Sequence, residues 1–408
     1  MSPPKKIPRL ASFLALLLAG SVPLAAAAEP PMREVVRDSL EFSAAQYAFM
    51  LSSLEGRPGY PRSVAKGEIT LVPASDWTSG FFPGSLWYLF EATGDPKWRM
   101  AAATATAGLK AMKENRHTHD LGFMLYCSYG NALRLAGDAD DREVLLAAAE
   151  SLSTRFNATV GSIKSWDHGQ WAFPVIIDNM MNLELLCWAA RAGNQPRYRE
   201  IAVAHADTTL RNHFRADGSS YHVVAYDPVT GKPLLHVTHQ GAADESAWAR
   251  GQAWGLYGFT MMYRETRDRR YLEQAKKIAD FLVNHPRLPA DKIPYWDFDA
   301  PDIPAAPRDA SAAAIMCSAL LELSDNVEPA AAGRYAAVAE QQLRSLASPA
   351  YRAKPGENHG FLLMHSTGNF PKRDEVDVPI NYADYYFLEA LLRSKARLAR
   401  LPAANGHE

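Results

Sequence analysis

Two aspartates in this sequence stand where a carboxyl group could work as an acid or a base. Asp178 follows the apolar run 175–177 and directly precedes a predicted helix that begins near Asn179. A carboxylate in that place is often a helix N-cap, but burial beside an apolar run would raise its pKa, as a general acid at neutral pH requires. Asp120 follows His119 and also opens a predicted helix, so capping and catalysis compete at both positions.

The spacing of His117, His119 and Asp120 could also belong to a metal site, because histidine and carboxylate side chains are common metal ligands. No cluster of carboxylates or cysteines follows nearby to complete a ligand set. We therefore predict that the protein holds no metal at this motif.

Tryptophan, histidine, aspartate and glycine are concentrated in a few loop-like segments. These segments are residues 76–87, 117–123, 165–182, 221–227, 236–254 and 294–311. Seven of the nine tryptophans fall within them, namely Trp77, Trp87, Trp166, Trp171, Trp248, Trp254 and Trp296. Indole faces stack on sugar rings while imidazoles and carboxylates bind hydroxyl groups, so the segments indicate a carbohydrate site. Each tryptophan taken alone could equally be a core residue.

The elements that position these segments are predicted to be helices. Most of the chain places apolar residues three to four positions apart, and counting these stretches yields about twelve helices. A turn rich in Gly, Asp and Asn recurs with starts at 91, 134, 190, 263 and 321, where it ends one helix and begins the next. Residues 66–73 and 219–227 are the best strand candidates. The pattern predicts an all-α fold of six helical hairpins closed in a ring, an (α/α)6 barrel, with an open solenoid as the alternative.

Composition excludes several classes of protein. The 408 residues carry a formal net charge of −2 and contain no basic block, which argues against nucleic-acid binding. The three cysteines are too few and too scattered for a disulfide framework, and each lies in an apolar stretch, so we predict that they are small buried side chains.

Residues 1–28 have the pattern of a secretory signal peptide. Lys5, Lys6 and Arg9 form a basic start, an apolar run follows, and small residues end at Ala28. The apolar run is shorter than the roughly 20 residues of a membrane span, so we predict cleavage rather than anchoring. No linker divides the remainder, and residues 29–408 are predicted to form one catalytic domain that is periplasmic or secreted by a bacterium and has no membrane contact.

Six long motifs carry a family resemblance. They are DWTSGFFPGSLWYLFE, HTHDLGF, IDNMMNLELLCWA, THQGAADESAWARGQAWGLYGF, PYWDFDAPDIPAAPRDASAAA and VDVPINYADYY. Together they strongly resemble the unsaturated glucuronyl hydrolases of glycoside hydrolase family 88 over residues 35–398. The resemblance implies an (α/α)6 barrel without metal or organic cofactor. It also implies a substrate class, oligosaccharides left by polysaccharide lyases with a 4,5-unsaturated uronic acid at the nonreducing end.

The resemblance further implies roles for individual residues. Asp178 would protonate C4 of the unsaturated sugar and later act as a base, and Asp120 would orient the acid or the substrate hydroxyls. Arg250 with His239 would bind the substrate carboxylate or support the catalytic residues. The remaining substrate contacts would come from Trp77, His119, His222, Thr238, Gln240, Trp248 and Trp254.

Some points stay open from the sequence. Relatives acting on sulfated fragments receive the sulfate on a C-terminal loop, to which Ser366, Asn369 and Lys372 correspond only in part, so a sulfate preference is undecided. The alternatives to an unsaturated glucuronyl hydrolase are an unsaturated rhamnogalacturonyl hydrolase with the same chemistry and a noncatalytic carbohydrate-binding barrel. A monomer and a homodimer are both compatible with the sequence.

Overall fold

A computed structural model describes residues 1–4 and 29–400 of the chain. The helices are α1 (Met32–Ser53), α2 (Phe81–Thr93), α3 (Pro96–Ala107), α4 (Asn131–Ala136), α5 (Ala139–Ser153), α6 (Asn179–Ala192), α7 (Pro196–Asn212), α8 (Ala249–Thr266), α9 (Arg269–Asn284), α10 (Ala310–Ser324), α11 (Pro329–Leu346) and α12 (Asn381–Arg400). A π-helical segment, Gly122–Gly130, runs directly into α4. The predicted signal peptide lies outside the described residues except for residues 1–4.

Six helices form a closed inner ring. In order around the ring they are α2, the π-helical segment with α4, α6, α8, α10 and α12, and α12 contacts α2 again. The remaining helices pack outside as the second members of the hairpins: α3, α5, α7, α9 and α11 each follow their inner partner, and α1 covers α12. The contact between α12 and α2 closes the ring, so the predicted (α/α)6 barrel is confirmed and the open solenoid is wrong.

The inner and outer helices differ in sequence as their positions require. Helix α10 is apolar on all sides and nearly every one of its residues is buried. Helix α9 buries one face only, through Tyr271, Leu272, Ala275, Ile278 and Leu282 among others, and exposes its charged residues on the other. A helix surrounded by neighbours needs apolar side chains all round, whereas an outer helix needs a single apolar stripe.

Short turns join each hairpin at one end of the barrel. Gly94 ends α2 in the left-handed conformation, where a residue without Cβ is least strained. Asp95 then caps α3 by accepting a hydrogen bond from the Lys97 amide at 3.0 Å. Asp138 and Asp268 cap α5 and α9 in the same way. The recurring turns predicted from the sequence therefore mark the hairpin corners.

Long connections cross the opposite end and contain all the strands found in residues 1–4 and 29–400. These are β1 (Tyr60–Ala65), β2 (Glu68–Val72), β3 (Phe156–Asn157), β4 (Ser162–Ile163), β5 (Phe173–Ile176), β6 (Val223–Tyr226), β7 (Pro233–Val237), β8 (Ser366–Asn369) and β9 (Asp374–Val378). They pair antiparallel as β1–β2, β3–β4, β5–β6–β7 and β8–β9. Both predicted strand candidates are confirmed, as β2 and β6, and neither belongs to a sheet-based core.

Ion pairs line and adjoin a cavity of about 590 Å³ enclosed by the inner helices. Arg264 pairs with Glu184 and with Glu322 at 3.0 Å, and Arg393 pairs with Glu322 at 2.8 Å and Glu389 at 3.5 Å. Cations are favourable beside helix C-termini because the helix dipole is negative there. These residues bind one another and lie at the end away from the tryptophan-rich segments.

Two further observations concern the described residues. Every helix within 1–4 and 29–400 falls short of the length and apolar character that a membrane span requires. All three cysteines are free thiols; Cys187 and Cys317 are buried as predicted, and Cys127 is partly buried.

Candidate active site

The sequence-predicted site residues gather at the N-terminal ends of the inner helices. Asp178 directly precedes α6, Trp248 precedes α8, and Asp120 precedes the π-helical segment. Trp77 lies before α2 and contacts Tyr382 at the start of α12. The ring thus brings residues that are far apart in sequence to one mouth of the barrel.

Asp178 has the environment of a general acid. It is 8% exposed, and although it occupies the N-cap position of α6 its side chain makes no capping hydrogen bond. Its Oδ2 atom has no hydrogen-bond partner within the protein. Burial raises the pKa of Asp178 to about 7, an effect that the nearby Arg250 opposes and the negative charge of Asp120 reinforces. The capping interpretation is therefore wrong for this side chain, which is free for chemistry.

His222 presents a proton to Asp178. The backbone amides of His239 and Gln240 both donate to His222 Nδ1, each at 3.2 Å, so Nδ1 is an acceptor. Burial lowers the pKa of His222 well below its usual value, so the ring is neutral and its single proton lies on Nε2. Nε2 lies 3.9 Å from Asp178 Oδ2, slightly too far for a direct hydrogen bond and close enough to share a substrate hydroxyl.

His119 and Asp120 form a second polar pair. His119 Nδ1 lies 2.6 Å from the carbonyl oxygen of Ser165, which can only accept, so Nδ1 carries the proton. Burial lowers the pKa of His119. Its Nε2 atom lies 3.1 Å from Asp120 Oδ1, and Thr118 donates to Asp120 Oδ2 at 2.9 Å. His119 Nε2 and the Thr118 hydroxyl therefore flank the two carboxyl oxygens of Asp120.

Arg250 is a buried cation whose hydrogen bonds go mostly to the protein. It is 1% exposed and donates to Asp309 Oδ2 at 3.1 Å and to the carbonyl oxygens of Thr367 at 2.5 Å and Gly368 at 2.6 Å. Its Nε atom has no partner within the protein. Of the two roles that the resemblance implied, this arrangement favours support of the catalytic residues over direct capture of the substrate carboxylate.

The segment 238–241 forms a tight turn at the edge of the mouth. Thr238 accepts a hydrogen bond from the Gly241 amide at 2.8 Å, which uses its hydroxyl within the turn. Gln240 donates to the Gly368 carbonyl at 2.9 Å. His239 is exposed, and its Nε2 atom lies 3.2 Å from Lys372 Nζ. Of these side chains, His239 faces solvent most openly.

The aromatic residues divide into exposed and enclosed groups. Trp77 is partly exposed beside Tyr382, with ring centroids 5.2 Å apart, and can offer a face to a sugar. Trp166 is also partly exposed and lies 5.7 Å from His239. Trp248 and Trp254 are 2% and 0% exposed, so neither has an open ring face. Trp254 instead offers its Nε1 proton, which has no other partner, toward Asp178.

The loop that contains Ser366, Asn369 and Lys372 offers one group to a ligand. Ser366 is fully buried in β8. The Asn369 side chain accepts from the Lys372 amide at 3.3 Å. Lys372 extends its ammonium group toward His239 at the edge of the mouth, so it is the loop residue best placed to contact a substrate.

Sequence reasoning did not identify Asp309 and Tyr382 as site residues. Asp309 lies in the segment 294–311 but has the ordinary signature of a helix N-cap, and it does cap α10 through the Ser311 amide at 3.0 Å. Tyr382 is an aromatic residue at the start of α12 that has no special feature in the sequence. In the structure its ring centroid lies 5.3 Å from the Arg250 guanidinium. A carboxylate directly before an apolar helix was the signal for Asp309. Its ion pair with Arg250 could not be recognised from spacing.

No metal is needed to explain this site. Among residues 1–4 and 29–400, no group of three or more His, Cys, Asp or Glu side chains is arranged to hold a metal ion. His117 is exposed at the surface, whereas His119 is buried and bound to Ser165. The site therefore offers a protonated carboxyl group, a second carboxyl group and hydrogen-bond donors, which suits acid catalysis on a sugar.

Known proteins resemble this chain over most of its length. Residues 62–353 match Glycosyl Hydrolase Family 88. An unsaturated glucuronyl hydrolase of Formosa agariphila is 49% identical over 345 residues, which cover 83% of this chain and 86% of the relative. An unsaturated glucuronyl hydrolase of Bacillus sp. (strain GL1) is 36% identical over 332 residues, 78% of this chain and 86% of the relative.

Solved structures agree with the sequence matches. The crystal structure of an unsaturated glucuronyl hydrolase specific for heparin superposes with a TM-score of 0.87 at 50% identity, covering 90% of this chain and 98% of that one. The Bacillus sp. GL1 enzyme superposes with a TM-score of 0.82 at 32% identity, covering 90% and 97%. The matched pattern, the identity and the shared barrel show that the chain belongs to glycoside hydrolase family 88.

Proposed function

We propose that this chain removes a 4,5-unsaturated glucuronic acid from the nonreducing end of lyase-generated oligosaccharides by hydrating the C4=C5 double bond, with Asp178 as the acid. The observation that carries the proposal is the uncapped, buried Asp178 carboxyl, whose pKa near 7 keeps a proton available at neutral pH. The relatives described above are named unsaturated glucuronyl hydrolases, which favours this activity over the rhamnogalacturonyl alternative.

The proposed reaction consumes one water molecule for each glycosidic bond that it cleaves. Asp178 gives its proton to C4, and positive charge develops at C5, where the ring oxygen shares it. Water attacks C5 and returns a proton to the Asp178 carboxylate. The product of this step is a hemiketal at C5. The hemiketal opens to a ketone at C5, and the hemiacetal left at C1 releases the remaining sugar as an alcohol. Asp120, held by His119 and Thr118, orients the acid or the hydroxyls of the unsaturated ring.

The position of the mouth suits an anionic sugar. The inner helices point their N-termini at this end, and helix N-termini carry partial positive charge. Arg250 adds a buried cation close to Asp178. A protein with a net negative charge can therefore bind a uronate, because these helix N-termini and Arg250 place positive charge near the mouth.

The direct test uses disaccharides made by lyases from heparin, chondroitin and hyaluronan. Loss of the ultraviolet absorbance of the conjugated double bond, with release of the second sugar, is the expected result. The 50% identity to a heparin-specific enzyme places the heparin-derived disaccharide first in the panel. Retention of the double bond with every disaccharide would contradict the proposed activity.

The pKa of Asp178 predicts the pH dependence of turnover. The acid must carry its proton to react, and that proton is lost as the pH rises through about 7. We therefore expect kcat/KM to fall with increasing pH above neutrality. A pH profile of kcat/KM on one unsaturated disaccharide checks this, and a rate that instead rises to a plateau above pH 7 would assign Asp178 the role of a base.

Lys372 is predicted to tune substrate choice without affecting the chemical step. Its ammonium group lies at the edge of the mouth beside His239, where we expect it to meet the second sugar or its sulfate. We expect Lys372→Ala to raise KM for a sulfated disaccharide and to leave kcat unchanged, which is the signature of lost binding that the ground state and the transition state share equally. Equal effects on sulfated and unsulfated disaccharides would show that the contact is not with a sulfate.

We further propose that the protein is exported to the bacterial periplasm or beyond and that residues 1–28 are removed on the way. Export is supported by the pattern of a signal peptide, which has a basic start, an apolar run and small residues before Glu29. Expression of the full chain in a bacterium, followed by fractionation and N-terminal sequencing, tests it. Recovery of an intact N-terminus in the cytoplasm would contradict the proposal.

A further inference from the structure

We propose that Asp309 is a positioning residue for the acid: by pairing with Arg250 it limits how strongly that cation acts on Asp178, and so keeps Asp178 protonated in the working pH range. The inference rests on the proposed function, in which Asp178 donates the proton. It assigns a role to a residue that the sequence pattern did not single out.

Asp309 makes two kinds of contact from one carboxylate. Its Oδ1 atom caps α10 by accepting from the Ser311 amide at 3.0 Å and the Ala312 amide at 3.3 Å, and it also accepts from the Ser311 hydroxyl. Its Oδ2 atom accepts from Arg250 Nη1 at 3.1 Å. The carboxylate is 0% exposed and the guanidinium is 1% exposed. Because both groups are buried, the interaction between the two charges is screened little.

The capping bonds hold the carboxylate in one place. The α10 N-terminus stabilises a negative charge there. The carbonyl oxygens of Thr367 and Gly368 in β8 accept from Arg250 Nη1 and Nη2. Arg250 is therefore fixed beside Asp309, and its charge also acts on Asp178. A cation fixed in that position stabilises the ionised form of Asp178 unless a nearby anion offsets it.

The charged and titratable groups that face Asp178 and Arg250 come from several elements of the barrel. Asp178 faces Arg250 on α8, Asp120 before the π-helical segment and the neutral His222 beside β6. Arg250 faces Asp309, Asp178, Tyr382 and, from β9, Glu375. Glu375 is itself bound by Arg62 through both carboxylate oxygens, at 2.7 and 2.8 Å. Asp309 is thus the carboxylate that directly offsets the charge of Arg250.

The test is the pH profile of Asp309→Asn. The amide oxygen can still cap α10, but the negative charge is lost, so Arg250 should stabilise the Asp178 carboxylate more strongly. We expect the decline of kcat/KM on the alkaline side to move to lower pH by about half a unit or more. Asp309→Ser is the second variant, since its hydroxyl also caps the helix and places no amide nitrogen against the guanidinium.

Asp268→Asn is the matched control. Asp268 also caps a helix and also pairs with an arginine, Arg270 at 2.7 Å, but it lies at a hairpin corner away from the mouth. We expect the decline of kcat/KM on the alkaline side to occur at the same pH in Asp268→Asn as in the wild type. A general effect of replacing a capping aspartate would move both profiles.

The outcomes separate the two proposals. Folded Asp309 variants with a wild-type pH profile would overturn the positioning role while the activity itself stands. Loss of the folded state in both variants would assign Asp309 to stability alone and would likewise overturn it. A wild-type protein that leaves every unsaturated disaccharide intact would instead contradict the proposed function.

Discussion

Asp178→Asn is expected to lower turnover of an unsaturated disaccharide by about 10² to 10⁴-fold, the usual loss when a general acid is removed. The amide has nearly the same shape as the acid but cannot supply the proton that C4 requires. Steady-state kinetics on one lyase-generated disaccharide measures the loss. A folded variant with a rate close to that of the wild type would remove Asp178 from the mechanism.

The fold should survive this substitution. The carboxyl makes no capping hydrogen bond, and its pKa is raised from 3.8 in the unfolded chain to about 7 in the folded state. Such a group favours folding while it is protonated, and that contribution is lost as the pH rises from about 4 to about 7. The amide never ionises, so we expect Asp178→Asn to unfold at the same or a higher temperature than the wild type above pH 7.

Asp138→Asn provides the control for this experiment. Asp138 is the N-cap of α5 at a hairpin corner, and its side chain does accept a hydrogen bond, from the Asp140 amide at 2.9 Å. We expect this variant to keep full activity. Comparable losses of activity in both variants would indicate a general effect of replacing a helix-capping aspartate rather than loss of the acid.

A saturated glucuronide should be a very poor substrate. Protonation at C4 requires the C4=C5 double bond, because only the enol ether makes that carbon basic. Hydrolysis of a saturated glucuronide would need an acid aimed at the glycosidic oxygen and a second carboxylate as nucleophile or base. We therefore expect p-nitrophenyl β-glucuronide to remain intact under conditions in which the unsaturated disaccharide is consumed. Comparable rates would favour a conventional glycosidase mechanism.

The same reasoning predicts the position of solvent hydrogen in the product. In D₂O the exchangeable proton of Asp178 becomes deuterium before it is transferred, so deuterium should be found on C4 of the released uronic acid. Mass spectrometry and proton NMR of the product detect it. A product without deuterium at C4, taken soon after the reaction, would contradict hydration of the double bond.

Much of this architecture could be predicted from local patterns. Helices have a period of 3.6 residues, and the capping residues Gly94 and Asp95 act on neighbours in the chain, so the hairpin corners could be recognised from the sequence. The concentration of tryptophan and histidine in the long connections likewise indicated a carbohydrate site. The predicted family and barrel are confirmed by the matched pattern and the shared fold.

Other properties depend on residues that are distant in sequence. Whether Asp178 caps α6 or faces the mouth depends on its side-chain direction and on burial by α8, neither of which spacing determines. Arg250 is 59 residues from Asp309 and 118 from Gly368, and only ring closure brings all three together. Trp254 appears in a sugar-site motif, but packing against Phe123 and Tyr386 leaves it no open face.

The sequence by itself therefore determined the helices, their corners, the family and the residue types available for chemistry, because short-range hydrogen bonding and periodicity are encoded locally. The tertiary structure decided which of those residues is a protonated acid, which tautomer His222 adopts and which partners Arg250 binds. Burial and electrostatic interaction depend on the distances between groups from different hairpins. Those distances exist only once the six hairpins have closed into a ring.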